Sequence, residues 1–308
     1  MKPIHYLTNS QIDYQRWDWC IANAANSLPY AYSWYLDAVS PNWEALVVGD
    51  YETVMPLTWK QKYAIPYLFK PLWAQQLGVF GAALPDAGMV IRFIEAIPPR
   101  FKYLIYTLNE ANQVPASLSN ITSTERTNHL LSLHLPYEQL YRGYNQNTRR
   151  NLKTAQAQGY FLQGNIAPKE VIDLYRMTAG VKLTGITTPH YQEMERLMYQ
   201  SIHHQAGILY GVYDAANQLH AAGFFLLTPA RIINLFPATH PQGRQTGAMY
   251  YLLNSLIEQN ALTNKVFDFE GSTSPTVSQF YRGFGATPVP YCQITRNTLP
   301  WPLHYFKK

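Results

Sequence analysis

The spacing of apolar residues along the chain predicts a series of helices and strands whose order occurs twice. In the first half, helical spacing predicts a helix over 32–39, and the strand-like segments WEALVVGD and ETVMPLTWK flank a turn at Asp50 and Tyr51. An amphipathic helix in DAGMVIRFIEAIP and strands in YLIYTLN and HLLSLHL follow. The first half is therefore expected to be a mixed α/β unit.

The second half has the same order of helix, hairpin, strand, helix and strand. The segment TPHYQEMERLMYQSIHHQ has helical spacing, GILYGVYD and QLHAAGFFLLT predict a hairpin, and ARIINLFPAT predicts a strand. An apolar helix in TGAMYYLLNSLIEQN and a strand in KVFDFEG complete it. Two tandem mixed α/β domains are therefore predicted, over 1–140 and 141–308, with the division near LPYEQLYRGYNQNT.

The charge of the chain is concentrated in the second half. Up to residue 140 there are 9 Lys and Arg against 11 Asp and Glu, and from residue 141 onward there are 15 against 8, so that net charges of −2 and +7 sum to +5. A local positive field favours an anionic ligand such as a nucleotide-containing cofactor, an RNA end or a phosphorylated substrate. The alternative is that the basic residues only keep this half soluble.

Several function classes have no support in the sequence. HExxH, G-x-S-x-G, Walker and Rossmann glycine motifs are absent, and the nine histidines suggest no metal site. Cys20 and Cys292 form no metal or redox motif, which favours free thiols. No apolar run has transmembrane length, and the N-terminus has no signal-peptide core. Free thiols indicate a reducing compartment, so a cytoplasmic protein is expected.

A basic helix is the first candidate binding element. The segment NQNTRRNLKTAQAQG predicts a helix that ends near Gly159, with Arg149, Arg150 and Lys153 in its first turns. Cations near a helix N-terminus oppose the helix dipole, so a compensating anion is expected there. An ordinary solvated basic face is the alternative.

A strand, loop and helix in FPATHPQGRQTGAMYYLL form the second candidate. The strand ends at Thr239, a glycine-containing loop follows, and a helix begins near Thr246, within the sequence Arg244-x-x-Gly247-Ala248. Backbone N–H groups at such a helix start, with a cation beside them, suit a pyrophosphate or another anion. A loop that merely needs glycines is the alternative explanation.

The third candidate is the stretch KVFDFEGSTSPTVSQFYRGFGATPVPY. Strand alternation predicts Val266, Asp268 and Glu270 on one face, with Phe267 and Phe269 on the other, packed in the core. Either carboxylate could accept a proton from an attacking amine. Alternatively, the carboxylates pair with Arg282, in the turn that is expected over 280–285.

These three segments, in this order, resemble the FemABX-like transferases, a branch of the GCN5-related N-acetyltransferase (GNAT) superfamily with two GNAT-like domains. The resemblance covers most of the second half through TRRNLKTAQAQG, INLFPATHPQGRQTGAMYYLLNSLI and FDFEGS with FYRGFGA, and the first half mainly through PYAYSWYLDAVSPNW. It implies mixed sheets flanked by helices, a cleft between the domains, and packing of about 290–308 back on the first domain.

The resemblance also implies a function, because the family joins amino acids or other acyl groups to amines. It suggests acyl-CoA or aminoacyl-tRNA as an anionic co-substrate without a tightly bound cofactor, and an amine acceptor such as a cell-envelope precursor. It assigns donor binding to the basic helix and to Arg244, Gly247 and Ala248. Asp268, Glu270, Tyr281 and Arg282 form the expected catalytic group, although Tyr281 stands where peptidoglycan-directed members carry a lysine. The rival function is a catalytically degenerate protein that binds RNA or an envelope precursor.

Overall fold

The structure is a computed structural model that describes residues 2–114, 120–182, 185–271 and 274–302. The chain forms two compact units. Unit 1 comprises Met1–Thr127 and Pro290–Lys308, and unit 2 comprises Asn128–Val289. Helices and strands alternate along both, so the predicted mixed α/β fold is confirmed.

The strands are numbered in chain order. They are β1 Ile4–Leu7, β2 Glu44–Val48, β3 Thr53–Leu57, β4 Trp59–Lys62, β5 Ile65–Leu68, β6 Phe80–Gly81, β7 Tyr103–Thr107, β8 Thr122–Ser132, β9 Phe161–Gly164, β10 Gly207–Tyr213, β11 Leu219–Leu227, β12 Arg231–Thr239, β13 Val266–Asp268 and β14 Thr287–Asn297.

The α-helices are numbered in the same way. They are α1 Tyr14–Asn23, α2 Ser33–Val39, α3 Ala87–Glu95, α4 Tyr137–Arg142, α5 Gln146–Gln156, α6 Pro168–Met177, α7 Thr188–His203, α8 Pro241–Thr246, α9 Ala248–Gln259 and α10 Pro275–Arg282.

Unit 1 contains the predicted first hairpin. β2 and β3 pair antiparallel, with Leu46 opposite Met55, in a sheet of order β1-β2-β3-β6. A second group of strands follows the order β4-β5-β7-β14. Helix α1 contributes Trp17 to the core, where its ring lies 4.6 Å from that of Trp43. Burial of such large rings is a major source of stability for the unit.

Unit 2 contains a sheet of order β8-β13-β12-β11-β10-β9. β12 and β13 run parallel, whereas the other described neighbouring pairs in this unit are antiparallel. The β11–β12 register shifts between Phe224 and Phe225, which marks a β-bulge. The predicted hairpin β10–β11, strand β12 and helix α9 are all present close to their expected positions.

Helices cover both faces of the unit 2 sheet. Phe225, Phe267 and Phe269 lie in one buried cluster with Leu152 of α5 and Leu253 of α9. On the opposite side, Phe236 of β12 stacks on Tyr175 of α6, with ring centroids 4.0 Å apart. The predicted core position of Phe267 and Phe269 is therefore confirmed.

One local prediction in the last candidate segment is wrong. The strand β13 ends at Asp268, and Glu270 has a left-handed φ of 61°, so Glu270 does not continue the alternation. The turn predicted over 280–285 overlaps the end of the helix α10, and turn residues follow that helix at 283–285. Pro275 at the first position of this helix suits its geometry, because proline has no N–H to leave without a partner there.

Candidate functional site

The connection from β12 to α9 is a short helix followed by a left-handed glycine. His240 precedes α8, and its side chain accepts a hydrogen bond from the backbone N–H of Gln242. Gly247 ends α8 and begins α9 with a φ of 80°. The first N–H groups of a helix have no partner within that helix. The left-handed Gly247 therefore lets the chain turn from α8 into α9, whose first residue, Ala248, is buried.

Gly247 also permits close packing between α9 and α5. A β-carbon at this position would lie 2.5 Å from the backbone oxygen of Asn151, and the positive φ disfavours other residues. A similar approach occurs at Gly283, where a β-carbon would lie 2.5 Å from Oγ1 of Thr148. The two glycines hold the N-terminal part of α5 between the start of α9 and the end of α10.

The N-terminal turns of α5, α9 and α10, together with α8, line a cavity of about 660 Å³ in unit 2. Its described lining combines neutral polar groups, one cation and two aromatic rings, and it contains no carboxylate. The lining residues are Asn145, Asn147, Thr148, Thr239, Gly243, Arg244, Gly247, Met249, Tyr250, Thr276, Val277, Gln279 and Phe280. Because the partial positive charges of helix N-termini add to that of Arg244, the cavity suits an anionic group.

The predicted donor-binding residues fall into two groups. Arg244 and Gly247 line the cavity, and Ala248 follows them as the first residue of α9. Arg149, Arg150 and Lys153 lie exposed on α5, outside the described lining. The Nε of Arg149 donates to the backbone oxygen of Tyr144 at 2.9 Å, which draws that side chain toward the preceding turn.

One chain of hydrogen bonds connects the basic helix to the cavity. Arg150 Nη2 donates to Oδ1 of Asn147 at 2.8 Å, and Nδ2 of Asn147 donates to the Tyr250 hydroxyl at 3.3 Å. Burial raises the pKa of Tyr250, and the hydrogen bond from Asn147 opposes this shift. Asn147 would therefore connect an anion beside Tyr250 in the cavity with the charged side chain of Arg150.

Asp268 is a buried carboxylate that is held by a different arginine from the one expected. Its Oδ2 accepts from Nη1 of Arg231 at 2.7 Å and from Nδ2 of Asn128 at 3.2 Å, and its Oδ1 accepts from the backbone N–H of Glu270 at 2.8 Å. The described ion pair of Asp268 is thus with Arg231, rather than with Arg282. These contacts occupy both oxygens, so Asp268 is poorly placed to accept a proton.

Glu270 and Tyr281 lie close enough to interact electrostatically. Burial raises the pKa of Tyr281, and the negative charges of Glu270 and Asp268 raise it further. The hydroxyl is therefore protonated at neutral pH and can only donate or accept a hydrogen bond. Glu270 is half-buried immediately after β13, so its carboxylate is less enclosed than that of Asp268.

His129 and Ser278, which were not among the residues predicted from the sequence, join this group. Nε2 of His129 and Oγ of Ser278 are 2.9 Å apart, and the His129 and Tyr281 ring centroids are 5.9 Å apart. Burial lowers the pKa of His129, the Arg282 charge acts in the same direction, and a hydrogen bond with the Glu270 backbone opposes them. The imidazole is therefore neutral at neutral pH. In HLLSLHL, His129 shares one face of the strand with Leu131 and Leu133, and this position in the sequence is the signal that could have identified a buried histidine.

Arg282 is exposed at the last residue of α10, whereas its neighbour Tyr281 is buried. A cation at a helix C-terminus interacts favourably with the helix dipole, which gives Arg282 a structural role. Helix geometry directs adjacent side chains about 100° apart, so Tyr281 faces the core while Arg282 faces solvent.

The two predicted groups of site residues contact different faces of α10. Val277 and Phe280 of this helix line the cavity, whereas Ser278 contacts His129 and Tyr281 packs on Phe269 at a centroid distance of 5.1 Å. The structure thus brings Asp268, Glu270 and Tyr281 together as one cluster, whereas Arg244 and Gly247 line the cavity. No described residue lines the cavity and also belongs to the Asp268 cluster.

Within the described ranges, no group of three or more His, Cys, Asp or Glu side chains is arranged to hold a metal ion. No helix in the described part of the chain is long and apolar enough to cross a membrane. Cys20 and Cys292 are free thiols.

Comparison with known proteins gives similarity at the level of structure. No protein-family model matches the chain, and no curated protein matches it in sequence. The crystal structure of FemX matches with a TM-score of 0.68 and 10% sequence identity, over 98% of this chain and 99% of FemX.

Two further solved structures match over most of their length. A tandem GNAT protein from the clavulanic acid biosynthesis pathway has a TM-score of 0.53 at 13% identity, over 97% of this chain and 99% of its own. L-PGS from Bacillus licheniformis has a TM-score of 0.52 at 9% identity, over 86% and 87%. The predicted FemABX-like, tandem GNAT fold is thereby confirmed; at these identities the similarity concerns the fold alone.

Proposed function

We propose that this protein, which has the tandem GNAT fold of FemX, is an acyl or aminoacyl transferase that moves an acyl group from an activated, phosphate-bearing donor to an amine. The acyl-CoA and aminoacyl-tRNA donors both carry phosphates, and the acceptor is an amine such as that of a cell-envelope precursor. The proposal assigns the phosphate-bearing end of the donor to the cavity that Arg244 and Gly247 line.

The observation that carries this proposal is the convergence of three helix N-terminal turns on one cavity with an arginine and no described carboxylate. Such a site attracts anions through backbone N–H groups and through its net positive potential. Tyr250 and Phe280 offer ring surfaces there, with centroids 4.8 Å apart and planes at 81°. A flat, partly apolar group next to the phosphates would be accommodated.

The chemistry is assigned to the other face of α10. In the proposed step, the amine nitrogen attacks the donor carbonyl carbon, a C–N bond forms, and the bond from that carbon to the sulfur or oxygen of the donor breaks. Glu270 accepts the proton that the amine loses, because Asp268 is already held by Arg231. The departing sulfur or oxygen takes up a proton and leaves as the free thiol or hydroxyl of the donor. The protonated Tyr281 hydroxyl donates a hydrogen bond to the oxygen on which negative charge develops.

Thermal unfolding in the presence of each donor tests the proposal and identifies the donor. A ligand at about 100 times its dissociation constant stabilises the folded protein by about 2.7 kcal/mol, which is measurable as a rise in Tm. We expect either acyl-CoA or aminoacyl-tRNA to give this protection, and CoA or uncharged tRNA to serve as the matched comparison. If neither protects and no amide product forms with simple amines, the transferase proposal is wrong.

The basic helix makes a second, quantitative test possible. Replacing Arg149, Arg150 and Lys153 with glutamine is expected to weaken donor binding and to flatten its dependence on salt. For a tRNA donor, the slope of log affinity against log salt should fall by about 1 for each phosphate contact that is lost. Lys169→Gln combined with Arg196→Gln, which removes exposed cations from α6 and α7, serves as the control. Equal slopes in all three proteins would leave the helix as a solvated basic face.

A binding protein without activity is the second candidate function. Two observations favour it: Asp268 is occupied by a structural ion pair, and Arg282 is exposed at the end of α10. A binding protein would form no product even with Glu270 in place. Its affinity for the donor or for RNA would persist when Glu270 is replaced with glutamine. Product formation by the unchanged protein excludes it.

A further inference from the structure

The hairpin of β4 and β5 presents apolar and basic side chains to solvent in unit 1. β4 is an edge strand whose described partner is β5, with Lys60 opposite Tyr67 and Lys62 opposite Ile65. Since directly opposite residues project to the same side of an antiparallel pair, these four side chains share one face. Tyr63 at the turn is 82% exposed, one of the most exposed large apolar side chains among the described residues.

The charge of this segment has a single sign. Between residues 53 and 85 the sequence contains Lys60, Lys62 and Lys70 and no Asp or Glu. The ammonium group of Lys60 lies 4.3 Å from the Phe69 ring centroid, and that of Lys62 lies 5.3 Å from the Tyr63 ring centroid. Each of these two ammonium groups therefore lies near an aromatic ring. The seven residues 63–69 carry no charge.

The turn of the hairpin is built from unusual residues. Tyr63 and Ala64 have φ values of 51° and 61°, the left-handed pair that a two-residue type I′ turn requires and that Asn-Gly normally supplies. Lysines alone could be explained as protection of an edge strand against pairing with other chains. That explanation does not account for a solvent-exposed tyrosine in a conformation that tyrosine disfavours.

We propose that the β4–β5 hairpin is a docking surface for an anionic lipid bilayer. Tyr63, Ala64 and Ile65 would enter the interfacial region, where amphipathic rings are favoured, and Lys60 and Lys62 would contact the headgroups. The aliphatic residues 64–66 next to Tyr63 favour a bilayer over RNA, because RNA binding relies on cations at phosphates and on rings that stack with bases, and these three residues supply neither. The surface is independent of the transferase proposal.

Co-sedimentation of the full-length protein with lipid vesicles tests this surface. We expect binding to vesicles in which phosphatidylglycerol replaces about a third of the phosphatidylcholine, and much weaker binding to phosphatidylcholine alone. Replacing Lys60 and Lys62 with glutamine should lower the partition coefficient by roughly fivefold per lysine at low salt. Lys2→Gln, which removes an exposed lysine elsewhere in unit 1, and Tyr199→Ala, which removes a 56% exposed tyrosine on α7, are the matched controls.

A turn variant separates membrane binding from folding, because the two effects have opposite signs. Tyr63→Asn with Ala64→Gly supplies the residues that a type I′ turn prefers, so Tm should stay equal or rise. The same variant removes the interfacial ring, so vesicle binding should fall. A variant that lost both Tm and vesicle binding would show that the hairpin only supports the fold, which would overturn the proposal.

Two other results would also overturn it. One is a failure of the unchanged protein to bind anionic vesicles, or vesicle binding by the lysine variant that equals that of the control variants. The other is a gel-shift titration in which total tRNA binds through Lys60 and Lys62 while vesicles do not, since the hairpin would then be a nucleic-acid surface. Vesicle binding that weakens on raising the salt from about 0.1 M to about 1 M would support the electrostatic part, because such salt shortens the screening length from about 10 Å to about 3 Å.

Discussion

Replacing Asp268 with alanine is expected to lower the free energy of unfolding by about 3–5 kcal/mol, because it leaves the Arg231 guanidinium without its carboxylate. The two side chains are 1% and 15% exposed, so water can compensate little for the loss. Asn128 and the backbone N–H of Glu270 lose their acceptor as well. Denaturant unfolding of the variant, monitored by far-ultraviolet circular dichroism, measures the change.

A double-mutant cycle distinguishes this ion pair from simple packing. Arg231→Met combined with Asp268→Leu removes both charges and keeps apolar volume, so the double variant should be less destabilised than the sum of the single variants. Additive effects would mean that the pair is not coupled and that the assignment of Asp268 to Arg231 is incorrect. A destabilisation of Asp268→Ala below about 1 kcal/mol would indicate an exposed pair instead.

This ion pair shows why the sequence predicted the strands of unit 2 better than it predicted the site. The periodicity of ARIINLFPAT and of the helix after it is local, and β12 and α9 formed close to where it placed them. Arg231 and Asp268 are 37 residues apart and meet only because β12 and β13 run parallel in a register that places Arg231 opposite Val266. Local spacing contains no information about that register, so the nearer Arg282 was the obvious partner.

The helix α10 and the pair of His129 with Ser278 illustrate two further limits. Pro275 is a helix-start signal for α10, but the β-branched residues of the segment and the Gly-Phe-Gly that follows it have low helix propensity. Packing of Phe280 and Tyr281 against the core supports the helix. His129 and Ser278 are 149 residues apart. The segment HLLSLHL was assigned to the first half by its order, yet β8 pairs with β13, with Leu131 opposite Phe267, which brings His129 next to the Asp268 cluster.

The chemistry assigned to that cluster gives the second large effect, in the rate. If the Tyr281 hydroxyl stabilises the developing negative charge, Tyr281→Phe should lower kcat on the order of 10²–10³-fold with little change in donor affinity. The ring and its contacts with Phe269 remain, so the free energy of unfolding should change little. Steady-state kinetics with the donor that protects the protein, together with denaturant unfolding, measures both quantities.

Two variants control for the specificity of this effect. Tyr144 is another buried tyrosine of the same core whose hydroxyl is without a hydrogen-bond partner among the described residues, so Tyr144→Phe should preserve kcat. Arg282→Gln should change kcat little, because the side chain is exposed. Burial and the charges of Glu270 and Asp268 keep the pKa of Tyr281 above its ordinary value, so its ionisation should not appear in the pH dependence of kcat near neutrality. A large loss of rate in Arg282→Gln with an unchanged Tyr281→Phe would transfer the charge-stabilising role to the arginine and require a different orientation of the substrate at α10.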